Sequence, residues 1–484
     1  MPDLTTGFGL LALLFLVAAL ASGLVERAPI SFPMIFLGLG FVLGEYGLGW
    51  INVGLHDPIL ETIAILNLSF VLFLDAVNLR LEELRKDWVV PVLSLGPGTL
   101  LTLLLISLAA AILLRFSMIQ ALLIGAVLSS VDPVLLRDVV RDERIPRSIR
   151  EALKTEAGAG DIIVLPVLLI LAVIARNQAA SPREWFLLLT ELFVLGPLAG
   201  ALIAVAATFL MGQIRARFPI SREYRALYAI GILLAAYFVG TIVGGSGFLA
   251  VFTAGFVIAL LDYDLCDCFL EYGEISSEMM MLLAFLLFGA LLSTLVGLLA
   301  LLPVLLFAAV ALAIARPVAI GIALRHALIS QRARLFMGWF GPRGLSSLLF
   351  GLLLVSEDVP GAEQIFASAG VVVIISVLLH GISSAPLAAA YNRAVIKETL
   401  PEEREGKVTG LFLPNPQDAP RITPEELANL LKRENPPVVL DVRSRSRYER
   451  DNDQIPGSIR VLPDEVEDWA SNQSKEHLIV TYCT

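Results

Sequence analysis

Long apolar stretches follow one another from Thr6 to about Tyr391, separated by short polar connections and without the strict alternation that marks half-buried strands. A helix rises 1.5 Å per residue, so about 20 consecutive apolar residues cross roughly 30 Å of hydrocarbon. Read at that length, the pattern predicts about thirteen spanning helices. They begin near Gly7, Phe32, Glu61, Val90, Ile119, Leu153, Trp185, Arg225, Phe248, Met279, Val296, Leu335 and Gln364. The first follows Met1-Pro2-Asp3 with no Lys or Arg ahead of it, so it reads as a retained span, not a secretory signal. Past Leu400 the pattern changes to Pro, Glu, Arg and short apolar runs, which predicts a linker over 396–420. From 421 onward a capped helix at Thr423-Pro424-Glu425-Glu426 and strands at Val438-Val439-Leu440 and Ile479-Val480 predict a small α/β unit.

Composition agrees with the spans. Of 484 residues, 57% are hydrophobic and 17% charged, too little polar surface to cover a water-soluble chain of this size. The partner is therefore the lipid bilayer. A net charge of -10 names no further partner, because the acids gather after about Leu400. The cationic residues are more informative. Arg80, Arg85 and Lys86, then Arg137, Arg141, Arg144, Arg147 and Arg150, then Arg215, Arg217, Arg222 and Arg225, then Arg325, Arg332 and Arg334 all fall on alternate connections. Lys and Arg are retained in the cytoplasm during insertion, which predicts an outside N-terminus and a cytoplasmic C-terminal domain in a multi-pass protein of the cell membrane. Cys266, Cys268 and Cys483 are too few for a disulfide framework and read as free thiols. The scattered glycines lack phosphate-loop spacing, and no nucleic-acid, nucleotide, cofactor or resident-metal chemistry is indicated.

Five charged positions interrupt the apolar runs: Asp75, Asp132, Glu156, Asp161 and Arg316. An ionised group in hydrocarbon costs about 2.5–3.5 kcal/mol on insertion scales, so each is a functional candidate. Asp75 is flanked by apolar residues, with Arg80 close enough that it could also reach an interface. Asp132 precedes Pro133 within an apolar helix, and proline both lacks an N–H and clashes with the preceding turn. The helix should break there, freeing carbonyls, including that of Val131, to meet a cation. A second break is predicted at Gly341-Pro342-Arg343-Gly344. One interrupted helix in each half points to inverted repeats with a site between them. Glu156 and Asp161 stand five apart, about 140° around a helix, and need separate partners. Arg316 is the natural mate of Glu156, in a pair that reads first as structural charge neutralisation.

These residues resemble the monovalent cation:proton antiporter superfamily, in the branch of the NhaP antiporters and the animal sodium/proton exchangers. The resemblance covers about residues 1–395 and rests on Val131-Asp132-Pro133, Arg147, Glu156 through Asp161, Gly245 through Gly255, Arg316-Pro317 and Gly341 through Ser346. It implies an all-α polytopic membrane protein in which Asp161 binds the ion or proton, assisted by Asp75, Val131 and Asp132, while Glu156 and Arg316 form a structural ion pair. It also implies a homodimer serving pH homeostasis. Gly160, Ala157 and Val131 stand where relatives carry asparagine, serine and threonine, so side-chain oxygens of the usual site are missing. Residues 421–484 resemble a rhodanese domain through Val439-Leu440-Asp441-Val442-Arg443, Ile455-Pro456-Gly457-Ser458 and Cys483, with Gln454 where histidine is usual. With Cys483 followed only by Thr484, the unit is expected to be incomplete and catalytically silent.

The function implied is secondary antiport and not enzymatic turnover. A carboxylate shielded from water is costly as a bare anion, so a proton and a monovalent cation compete for it, and alternating access turns competition into exchange. Sodium is the first expectation, with potassium or lithium also possible. Electroneutral and electrogenic exchange both stay open, depending on whether Asp75 carries a proton. The alternatives are a membrane-tethered sulfurtransferase using Cys483, a sulfur- or redox-sensing regulator in the tail, and a channel.

Overall fold

The computed structural model describes residues 4–25, 31–78, 89–142, 144–176, 181–261, 263–295, 300–327, 329–397, 422–432, 436–449, 453–471, 473 and 478–482. Arg80, Arg85, Lys86, Cys483 and nearly all of the expected linker lie outside these residues, as do the side chains of Cys266 and Cys268.

Apolar sequence becomes helix because, in hydrocarbon, backbone N–H and C=O groups must bond within the segment. The helices run in order as α1 (Leu4–Val25), α2 (Phe32–Leu43), α3 (Pro58–Asn78), α4 (Val89–Leu113), α5 (Met118–Val127), α6 (Pro133–Arg141) and α7 (Arg147–Ala175). They continue as α8 (Pro182–Arg215), α9 (Arg222–Ile242), α10 (Gly247–Leu261), α11 (Tyr263–Leu295) and α12 (Leu301–Ala323). The set closes with α13 (Gln331–Trp339), α14 (Leu345–Ser356) and α15 (Ala362–Lys397). Among the described residues, 8 helices are long and apolar enough to cross a membrane. The shorter apolar helices α2, α5, α10 and α14 supplement them.

One order of elements occurs twice. In α4 a π turn at Ser94–Gly98 interrupts a long helix, followed by the broken pair α5 and α6 and then by long α7. In α12 a π turn at Ala311–Ala315 does the same, followed by α13 and α14 and then by long α15. These two triads pack together, α12 against α4 and α14 and α15 against α5. The remaining helices form a second body in which α2 lies along α11, α8 along α10, and α10 against α3. The two bodies meet where α3 contacts α7 and α14.

At the C-terminal end stand α16 (Pro424–Leu430), β1 (Val438–Asp441), α17 (Arg445–Tyr448), β2 (Ile459–Arg460), α18 (Val466–Ser471) and β3 (Ile479–Tyr482). Thr423 and Glu426 cap α16 reciprocally, so the capping residues read from the sequence start this helix. The three strands pair in parallel in the order β2-β1-β3, with Leu440 opposite both Ile459 and Thr481. Val439 and Leu440 are buried at its centre.

Candidate functional site

Both interruptions fall where proline and glycine placed them. Helix α5 ends at Val127 and α6 starts at Pro133; α13 ends at Trp339 and α14 starts at Leu345. Each break strands carbonyls on one side and N–H groups on the other, and the two links cross so that each answers the other. Asp132 N–H donates to the carbonyl of Pro342 at 2.9 Å. The Asp132 carboxylate accepts from Val134 N–H at 2.8 Å and from Leu345 N–H at 2.6 Å, capping α6 and α14 together. In return, Arg343 Nη1 donates to the carbonyls of Ser129 at 2.9 Å and Ser130 at 2.7 Å, where α5 gives way to the link. Gly344 is required for this approach, since a Cβ there would occupy the position of the Asp132 carboxylate. Asp132, expected among the ion ligands, lines the cavity beside Ser346, and its oxygens accept backbone N–H groups at two helix starts.

The far side of the second break is closed by a chain of side chains. His380 Nε2 lies 3.0 Å from the Trp339 carbonyl, and its Nδ1 lies 2.9 Å from the Ser376 carbonyl and 3.1 Å from Ser376 Oγ. Ser376 Oγ in turn accepts Arg343 N–H at 2.7 Å. Neither Ser376 nor His380 stood out in the sequence, because an isolated polar residue in a long helix has no pattern of its own.

Asp161, on α7, is 1% exposed. Ser130 Oγ donates to one of its oxygens and Ser346 Oγ to the other, the latter at 2.7 Å. Each serine comes from a different broken helix. Ala157, Gly160 and Val131 carry no side-chain oxygen, and the hydroxyls that meet Asp161 come from the two breaks. A Cβ on Gly160 would lie 3.7 Å from Ser130 Oγ and 3.9 Å from the Val131 nitrogen, so the first link runs directly over this turn of α7. The only sequence signal for these serines was their adjacency to the two breaks.

Glu156 and Arg316 meet at 2.6 Å, both nearly inaccessible to solvent. Ser94, from the π turn of α4, donates to the second Glu156 oxygen. Arg316 Nη2 also reaches the Met337 carbonyl at 3.3 Å, near the end of α13. Gly341 gives the guanidinium room, because a Cβ there would overlap it. The pair ties α7, α12 and the second break into one block and stands apart from the Asp161 oxygens.

Asp75, on α3, is buried, and its Oδ2 has no hydrogen-bond partner among the described residues. It faces a cavity of about 340 Å³ between the two bodies, walled by Val71 and Asn78 of α3, Met281 of α11, and Asp132, Gly158 and Ser346 opposite. Arg137, Arg141, Glu151, Lys154 and Glu278 stand at its charged end. The cavity reaches Ser346, one hydrogen bond short of the Asp161 carboxylate. A separate, much smaller cavity of about 10 Å³ is lined by Glu61, Leu68, Phe248, Leu349, Leu352 and Ser356.

In the C-terminal unit, Asp441 receives a bidentate bond from Arg443 at 2.9 and 2.7 Å. Burial opposes ionisation there, but the guanidinium and the Arg443 N–H outweigh it and hold the carboxyl below the usual carboxylate range.

Residues 12–390 match the family described as sodium/hydrogen exchanger, transmembrane, and residues 423–484 match the rhodanese-like domain. The chain is 27% identical over 396 residues to the K(+)/H(+) antiporter NhaP of Alkalimonas amylolytica, covering 81% of this chain and 68% of that one. It is 27% identical over 403 residues to the K(+)/H(+) antiporter NhaP2 of Shewanella oneidensis, covering 82% and 68%. In fold it is similar to the sodium proton antiporter MjNhaP1 from Methanocaldococcus jannaschii, with a TM-score of 0.66 at 20% identity over 80% of this chain and 99% of that one.

Proposed function

The chain belongs to the sodium/hydrogen exchanger family and carries a rhodanese-like domain at its C-terminal end, and from that premise we propose that it exchanges a monovalent cation for protons at Asp161. As a family member it is a multi-pass membrane protein and a secondary transporter, not an enzyme. The observation that carries the site is the placement of Asp161: a buried carboxylate whose oxygens are each held by a hydroxyl from a different broken helix.

A hydroxyl can donate to a carboxylate or turn its lone pairs toward a cation. Ser130 and Ser346 therefore hold the bare carboxylate when neither ion is bound and become ligands when a cation enters. A proton on Asp161 removes the charge that attracts the cation, so the two ions exclude each other. Asp75, across the cavity, is a second acid on the cation's route and the group that would decide stoichiometry. Glu156 with Arg316 holds the block rigid, and Asp132 and Arg343 fix the crossing.

Access follows the cleft between the two bodies. The large cavity lies beside Arg137, Arg141 and Lys154 and a much smaller one beside Glu61, and from this we infer an inward-facing state with the basic end in the cytoplasm. Movement of the repeat bundle against α3, α10 and α11 would close one side and open the other. The NhaP and NhaP2 relatives are named for K+ and the similar structure for sodium, so potassium joins sodium as the first cation to test.

The test is proton flux in proteoliposomes on addition of Na+, K+ or Li+ at several pH values, with wild type and Asp161→Asn. The wild type should respond to at least one cation and the variant to none; undiminished flux in Asp161→Asn would reject the assignment.

A further inference from the structure

Helix α7 starts without a local cap. Pro146 occupies the N-cap position and offers no side-chain acceptor, although four N–H groups open every helix. The acceptor comes instead from the C-terminal unit. Asp464, in the turn between β2 and α18, accepts Arg147 N–H at 2.8 Å. Its side chain is only 3% exposed and lies 3.5 Å from Arg445 of its own unit. Next to it, Glu465 reaches Arg150 at 3.4 Å, and α17 packs against α15. Two carboxylates from about 315 residues away therefore sit at the positive end of the helix that carries Asp161.

The position of this contact gives it a consequence. Arg147, Glu151, Lys154, Gly158 and Asp161 recur at helical spacing and share one face of α7. Glu151, Lys154 and Gly158 line the cavity, so the docked acids stand at the head of the stripe leading to Asp161. The rim there also carries Arg137, paired with Glu278 at 3.4 Å, and Arg141, whose charge opposes an approaching cation.

We propose that the rhodanese-like unit is an intramolecular docking partner of the transport domain, held by Asp464 and Glu465 on the start of α7, and that these acids offset the basic rim and favour cation entry from that side. The transport consequence rests on the antiporter reading; the docking does not. Docked acids act through an aqueous mouth, so their effect is modest and screened by salt.

Docking is tested on the full chain in membranes, with its native cysteines changed to serine and Arg150→Cys paired with Glu465→Cys. A short bis-maleimide should cross-link the pair within one chain, and Asp464→Lys should suppress the product. Absence of the cross-link when both thiols are reactive overturns the docking. Transport is read in vesicles oriented with the basic rim outward. The double variant Asp464→Ala with Glu465→Gln should raise the apparent cation KM about threefold at low ionic strength, with the difference vanishing at high salt. The exchanged pair Arg150→Glu with Glu465→Arg should stay close to wild type. A double variant with unchanged KM at low salt overturns the electrostatic role. If wild type itself moves no protons on cation addition, the antiporter reading fails, while the cross-link still decides the docking.

Discussion

Asp132 and Arg343 cap each other's helices: the Asp132 carboxylate accepts Leu345 N–H at 2.6 Å at the start of α14, and Arg343 donates to the Ser130 carbonyl at 2.7 Å beyond the end of α5. Each break would leave polar backbone deep in the protein, and each is answered by a charge from the other break. The crossing is thereby one unit, and Ser130 and Ser346, which flank it, are delivered to Asp161 as a consequence.

Removing either hydroxyl should weaken the cation site without abolishing exchange. Ser130→Ala and Ser346→Ala are each expected to raise the apparent cation KM by about tenfold, as for loss of one bond to a charged group. Asp161→Asn should eliminate the cation response. Proteoliposome flux against cation concentration distinguishes the three, and a Ser346→Ala protein with wild-type KM would remove that residue from the site.

Asp132→Asn should act on stability more than on cation affinity. An amide keeps one acceptor oxygen and turns an NH2 toward a backbone donor, so one of the two caps is lost at a cost of about 1–2 kcal/mol. The measurement is the thermal midpoint of the purified protein beside its cation KM. A large KM change with an unshifted midpoint would make Asp132 a ligand, not a cap.

Breaking the Glu156–Arg316 pair from one side should be severe. Arg316→Met leaves an uncompensated buried carboxylate, which costs about 3–5 kcal/mol. Replacing both residues together, as Glu156→Leu with Arg316→Met, should recover much of that loss. Thermal unfolding in detergent reads both; equal destabilisation of the single and double variants would contradict a structural role.

Acid should loosen the C-terminal unit through Asp441. Its carboxyl lies below the usual range in the folded chain, so its stabilising contribution is complete above that range and disappears as pH falls through the depressed value. The protection factors of the β1 amides in the full chain, taken against the intrinsic exchange rate at each pH, should fall on acidification, and Asp441→Asn should be less protected at neutral pH and flatter with pH. An identical pH profile in the variant would place the acid sensitivity elsewhere.

How much could be read from residues alone depended on the range of the forces involved. Hydrocarbon imposes its demand within each segment, so apolar runs announced the helices, Pro133 and Pro342 announced the breaks, and Thr423 with Glu426 announced a helix start. The acids and Arg316 within those runs were visible because charge is rare there. Partners were a different matter: the bond from Leu345 to Asp132 spans 213 positions, and that from Ser346 to Asp161 spans 185. Nothing local to Asp132 tells that it caps two helices, and nothing local to Ser130 tells that its hydroxyl meets Asp161. The sequence by itself determined which stretches become apolar helices, where two of them break and which charges must be satisfied inside. Only the tertiary structure decided which group satisfies which, because a hydrogen bond requires a partner within about 3 Å and packing alone brings distant segments that close.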